Sequence, residues 1–421
     1  MPAVFLALIA GLVFSYAGVE ELQGAPPDRV LWLGFAALAG LAMLTYPFGS
    51  KDVFFYAFYG KMAAALGANP HVAAPSAFAS DAWYRFTNVW TADQPSPYGP
   101  LFTLQMWCIY TVTGGSLSAA LALQKALNAA LVAGGAWALV ALRSATAASA
   151  TAAGARAACL WLWSPLVLFE GIANGHNDVA VATALLAATF LWIDARAPLA
   201  AAVLTAAFWY KWYPAAVVPA WMFWSVRRWG WRSSLSSALP AVALATALCL
   251  APFADALAPM LARAASFHGV RQIFPDELPP PLWLLFRAMD GLDLFATSVG
   301  PALFHALRAA AFAGGLCWIA WRRRHAPYAP RRFVSDTLWS LAVFFAFVPT
   351  MLWPWHLMPL CAVALALEDR RYERAVIGVT AAGLLSYFLT FTYAVAACAL
   401  SAAALWIIRR RRAQRERAQS I

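Results

Sequence analysis

The sequence predicts an all-α, polytopic membrane bundle, and three observations carry that expectation. Hydrophobic residues make up 63% of the 421-residue chain and charged residues only 12%, against roughly 45–50% and 25% in soluble domains. Eleven apolar stretches are long enough, or nearly long enough, to cross a hydrocarbon core of about 30 Å. None of them alternates as the ten-residue strands of a membrane barrel would. Length alone suggests two or three globular domains, but whole segments lack a polar face. A single membrane-embedded domain over 1–421 is expected instead.

The stretches fall at 2–19, 30–47, 118–142, 157–174, 178–194, 236–254, 297–321, 334–350, 355–367, 374–389 and 391–408. The first has neither a basic leader nor a small-residue cleavage site, so it reads as a retained helix. Frequent Ala and Gly suit close helix packing in lipid. Residues 199–226 would span about 42 Å as one helix, too long for one upright crossing and too short for two full ones. Because Arg196 precedes them and Arg227, Arg228 and Arg232 follow, the segment is expected to be two short helices meeting at Lys211. Residues 101–113 are expected to lie in or dip into the outer leaflet, since a full crossing would reverse the later charge bias. The total is about 11–13 membrane helices.

Lys and Arg outnumber Asp and Glu by 30 to 19. Such an excess suits nucleic acid, anionic lipid or cytoplasmic anchoring, and its distribution decides. With the assignments above, 21 of the 30 basic residues, Arg143 and Arg156 among them, fall on the cytoplasmic side. A nucleic-acid partner is therefore not expected. The basic tail 409–421 reads as a cytoplasmic anchor at anionic lipid. The protein is expected in the cytoplasmic (inner) membrane, with its C-terminus inside and two long polar loops, 49–100 and 254–296, outside. All six cysteines sit in apolar runs without metal-ligand spacing and read as core residues.

Loops this long are uncommon unless functional. The first carries Trp83, Tyr84, Trp90 and Tyr98 among Asp52, Asp81 and Asp93, a mixture suited to sugar rings, although an aromatic interface belt would look similar. Residues 53–62, VFFYAFYGKM, read as a helix lying in the interface with its aromatic groups toward lipid. Lys125, Glu170, Lys211 and Arg308 stand within or at the ends of apolar helices. A charge at mid-membrane costs about 2.5–3.5 kcal/mol even on a lenient scale, so these residues imply a polar cavity. The three cations are placed near the outer leaflet, where a lipid phosphate would satisfy them; snorkelling or pairing with Glu170 is the plain alternative. Asp52 opens the outer loop, where a partly desolvated carboxylate can take a proton from a hydroxyl; a simple helix-end charge would also account for it. Asn177 and Asp178 in GHND, residues 175–178, sit where a helix cap is expected. His176 and His356 lack metal-ligand spacing, so no metal is expected. Phosphate-loop, dinucleotide and serine-hydrolase motifs are absent. A reaction on the outer side therefore needs a donor already activated and delivered through the membrane, such as a polyprenyl phosphate.

The segments SKDVFFYAFYGKM (50–62), GANP (67–70), SPYGPL (96–101), NGHND (174–178) and YKWYP (210–214), with a later WPWHLMPL (353–360), together resemble the GT-C class of integral-membrane glycosyltransferases. They are most similar to the bacterial polyprenyl-phosphomannose-dependent α-1,6-mannosyltransferases. The resemblance implies a GT-C fold whose first outer loop carries interfacial helices. It implies Asp52 as catalytic base and Lys125 and Lys211 at the lipid phosphate, where the depth of Arg308 in the membrane adds a third cation. It further implies Asp178 as an acidic residue lining the site, and His176, Asn177, Tyr98, Trp90 and His356, on the same outer side, are expected with it around the substrates. Some relatives carry two adjacent acidic residues in this loop; here the sequence is Lys51-Asp52-Val53, which disfavours a divalent metal. No tightly bound cofactor is expected. The expected reaction moves a hexose, mannose above all, from the lipid carrier to a glycan or glycolipid acceptor with inversion. A transporter or lipid-linked sugar flippase is the rival reading, although the matched repeats common in transporters are not visible.

Overall fold

A computed structural model describes residues 27–47, 49–87, 92–146, 150–266, 273, 275–389, 393–396 and 398. The expected helix at 2–19, most of that at 391–408, the basic tail and Trp90 lie outside the described residues. Among those described, every regular element is helical. The order is α1 (Asp28–Leu44), α2 (Asp52–Ala64), α3 (Pro100–Val112), α4 (Leu117–Thr146), α5 (Ala150–Leu162), α6 (Asp178–Ile193), α7 (Ala197–Tyr210) and α8 (Val218–Trp229). Then come α9 (Trp231–Leu250), α10 (Leu257–Ser266), α11 (Pro280–Asp290), α12 (Gly300–Arg323), α13 (Pro330–Phe347), α14 (Met358–Leu365) and α15 (Arg370–Leu385).

Among the described residues, three helical segments are long and apolar enough to cross a membrane: Leu117–Thr146, Trp231–Ala262, which kinks at Phe253 between α9 and α10, and Gly300–Arg323. A fourth crossing arises if the pair Gly154–Leu162 and Val167–Ala173, bent by 57°, counts as one span. This is fewer than the apolar stretches of the sequence. The expected stretches at 2–19 and most of 391–408 lie outside the described residues, and Ser164-Pro165 and Lys211-Trp212-Tyr213-Pro214 interrupt other apolar runs, because proline removes a donor and pushes its predecessor out of the helical region. The chain is nonetheless a membrane protein, with Leu239, Leu244, Leu248, Leu303, Leu307 and Trp318 exposed along α9 and α12.

Helix α4 packs on α5 and α6, α6 on α7 and α14, and α2 on α3. The 199–226 segment forms α7 and α8, with Lys211 in extended backbone between them. Helix α3 is 13 residues long, about 20 Å, and is too short to cross. Helix α2 departs from the expectation of an interfacial helix facing lipid. Phe54, Phe55, Tyr56, Phe58 and Tyr59 are all buried in protein. Its sequence is apolar on every side, and such a helix is enclosed rather than laid on a surface. The close fit uses a glycine, since a Cβ at Gly60 would stand 2.3 Å from the Met106 carbonyl oxygen of α3.

Candidate active site

Helix α2 starts at Asp52, whose backbone N–H donates to Ser50 Oγ at 3.1 Å. Tyr98 Oη donates to Asp52 Oδ2 at 3.2 Å. The Asp52 side chain keeps 32% of its surface open, so it is fixed from behind and accessible in front. Burial pushes its pKa above the ordinary carboxylate value, opposed by the positive charge of Lys211 and by bonds to Ser50 and Tyr98. Tyr98 reaches this place through the SPYGP turn. Gly99 donates to the Tyr210 carbonyl at 3.1 Å, and a Cβ there would meet the Trp209 carbonyl oxygen at 1.8 Å. Pro100 at the first turn of α3 then starts a helix directly behind the tyrosine.

The second wall is the turn between the π-helical Val167–Ala173 and α6. Gly175 takes a φ of +74°, where a Cβ would also strike Val53 at 2.8 Å, and the following residues turn back toward α2. Glu170, Asn174, His176, Asn177 and Asp178 are all fully buried. Lys211 Nζ pairs with Asp178 Oδ2 at 2.7 Å and donates to Asn177 Oδ1 at 3.2 Å. Tyr213 Oη donates to the other Asp178 oxygen at 3.0 Å. The ammonium stands 5.6 Å from the centroid of the Tyr98 ring, so Tyr98 contacts both Asp52 and Lys211. Two of the three lysine N–H donors have partners here, and the third is available. Asn177 Nδ2 is buried without a hydrogen-bond partner, which is uncommon in a native interior.

His176 lies between carboxylates, with Nδ1 3.9 Å from Asp52 Oδ2 and Nε2 3.4 Å from Glu170 Oε2. Its ring stacks on Trp355 at 3.8 Å, and Trp355 stacks in turn on Trp353 at 5.3 Å. Burial first, then the charges of Lys211 and His356, hold its pKa well below the usual histidine range, so the imidazole is neutral. His356 follows Trp355 directly; its Nδ1 accepts from the Trp353 N–H at 3.2 Å.

The structure thus brings Asp52, Tyr98, His176, Asn177, Asp178 and Lys211 together, with His356 beside them. The other two predicted cations lie on carbonyl groups. Lys125 Nζ donates to the carbonyls of Met43 and Thr45 at the C-terminal end of α1, a favourable place for a cation. Arg308 Nη1 donates to Val348 O at 2.6 Å. Among the described residues, no three His, Cys, Asp or Glu side chains form a group able to hold a metal ion.

Sequence reading missed a supporting amide line. Tyr210 Oη donates to Gln105 Oε1, Gln105 to Gln124, and Gln124 to Asn128, over 3.0, 2.8 and 3.2 Å. Asn128 Nδ2 then donates to the backbone carbonyls of Gly171 and His176 at 2.6 and 3.0 Å. The line ties α3, α4 and α7 to the turn that carries His176. Its signal was present: Gln124 and Asn128 stand four residues apart on an apolar helix, one above the other.

In comparison with known proteins, the family model described as Alpha-(1->6)-mannopyranosyltransferase, N-terminal domain, matches residues 3–228. That range contains every member of the cluster except His356 and its tryptophans. No curated protein matches the chain.

Proposed function

The chain belongs to the alpha-(1->6)-mannopyranosyltransferase family and is a membrane mannosyltransferase; from that premise we propose that it takes mannose from a polyprenyl-phosphate carrier. The acceptor is a glycan or glycolipid on the outer, periplasmic side of the inner membrane. One observation carries the reading: Asp52 and Lys211 both contact Tyr98 in one cluster, with Asp52 partly open and a lysine N–H to spare.

In this mechanism the acceptor hydroxyl gives its proton to Asp52 while its oxygen attacks the anomeric carbon. The bond from that carbon to the phosphate oxygen breaks, and its electron pair leaves with the phosphate toward Lys211. A cation preorganised where charge develops lowers the barrier without reorganising. Attack and departure on opposite sides of the sugar turn a β-linked donor into an α-linked product. Asn177 Nδ2, His176, Asp178 and His356 line the sugar's surroundings, with Tyr98 in contact with both base and cation. Lys125 and Arg308 hold the helix ends that frame the cavity. An apolar groove lined by Pro280, Phe345, Leu352, Leu357 and Leu360 supports a lipid-borne donor. Phe345 lies parallel to the His356 ring, 6.1 Å away, so the groove meets the polar cluster.

The test supplies membranes containing the protein with radiolabelled polyprenyl-phosphate β-mannose and a short α-mannoside. Label in an α-linked extended mannoside is expected. A β-linked product, or label that only crosses sealed vesicles, contradicts the reading.

A further inference from the structure

The amide line behind the site runs one way, and backbone carbonyls fix its direction. Asn128 Nδ2 donates to the carbonyls of Gly171 and His176, and a carbonyl can only accept. Asn128 therefore turns Oδ1 toward Gln124, which meets it with Nε2 at 3.2 Å. Gln124 Oε1 then faces Gln105 Nε2 at 2.8 Å, and Gln105 Oε1 is left to take the Tyr210 hydroxyl at 3.0 Å. Gln124 and Asn128 are fully buried, and each link of the line is a formed hydrogen bond.

The line ends beside the two halves of one contact. Tyr210 precedes Lys211 in the chain, and His176 precedes Asn177 and Asp178. Lys211 Nζ reaches Asn177 Oδ1 at 3.2 Å and Asp178 Oδ2 at 2.7 Å, so amides, backbone and ammonium close a ring. Lys211 needs such a restraint, because its backbone has left α7 for an extended conformation and its four-carbon stem is flexible. Apolar side chains of the same shape would fill the places of Gln105 and Gln124 with little loss of stability. What the amides add is a fixed register between the end of α7 and the turn that carries Asp178.

We infer that Gln105 and Gln124 are positioning residues: their amide line sets Lys211 against the 176–178 turn so that its free N–H points at the departing phosphate. The inference rests on the reading of Lys211 as the cation that receives the phosphate, and it names what aims that cation.

The test is a double-mutant cycle on the binding of polyprenyl phosphate, which carries the charge of the departing group and no sugar. Q124L and Y210F are each expected to weaken that binding about fivefold or more, the effect of one lost hydrogen bond. Y210F removes a single hydroxyl and keeps the ring against Phe102, so it cuts the line even where Q124L fails to fold. In K211M no ammonium remains to be placed, and neither substitution should weaken binding further. Equal weakening in the K211M and wild-type backgrounds, or wild-type binding by Y210F, overturns the inference and leaves the role of Lys211 standing. K211M that binds polyprenyl phosphate as tightly as the wild type removes that role itself.

Discussion

Helix α4 carries a buried polar cluster at each end, and the two differ in kind. From Gln124 to Arg143 it runs nineteen residues, about 28 Å, which is close to the thickness of a membrane core. At the Arg143 end the charges are closed on one another. Arg143 donates to Glu373 Oε1 at 3.0 Å and to the carbonyls of Leu365 and Leu367, while Arg156 pairs with Glu373 Oε2 at 2.9 Å. At the Gln124 end the groups are held just as firmly but left incomplete, with Asp52 partly exposed, Asn177 Nδ2 without a hydrogen-bond partner and a spare lysine donor. A buried charge therefore marks chemistry only where its bonding is unfinished; where it is finished, it marks a joint between helices.

That contrast predicts opposite effects of substitution. The largest is at the open end, where D52N is expected to reduce kcat by about 10²–10⁴-fold, the usual share of a general base, with the thermal unfolding midpoint retained. Its mirror at the closed end is E373Q. Removing one member of a buried ion pair is expected to cost about 3–5 kcal/mol in unfolding experiments, while the folded fraction keeps its kcat. Should E373Q lower turnover of the folded protein as D52N does, the division between the two ends fails.

K211M sharpens the comparison through pH. The positive charge of Lys211 holds Asp52 below the value that burial alone would impose. Without it Asp52 titrates at higher pH, and because turnover needs the carboxylate, the acidic limb of kcat/KM is expected to move upward. A limb that stays in place would separate Lys211 from the base. The smallest effect is expected from N177A, which raises the donor KM roughly fivefold, about 1 kcal/mol for one lost hydrogen bond. An unchanged KM would make the Asn177 amide a structural feature.

Much of the open cluster was legible because its members sit in short, dense motifs. NGHND and YKWYP each put several polar groups next to apolar helices, and such groups need a cavity. The aromatic helix α2 was misjudged in its surroundings, although the absence of a polar face in DVFFYAFYGKMAA pointed to enclosure. Lys125 and Arg308 were placed with Lys211 from their depth, Lys125 also from the family resemblance. Depth does not say whether a cation faces a cavity or a carbonyl at a helix end. Arg143 and Arg156 counted toward orientation, yet their partner Glu373 lies more than 200 residues away in sequence, and no local pattern connects them. The placing of His176 between Asp52 and Glu170 likewise joins α2 to the π-helical segment, an arrangement set by packing.

The most direct test of a shared, outward-facing cluster is sidedness. In a variant without native cysteines, Lys51→Cys beside the base and Trp212→Cys beside the lysine would be exposed to a membrane-impermeant maleimide in intact cells. Labelling of both from the outside is the predicted result. Labelling of one from outside and of the other only after the membrane is opened would contradict a single site formed by Asp52 and Lys211.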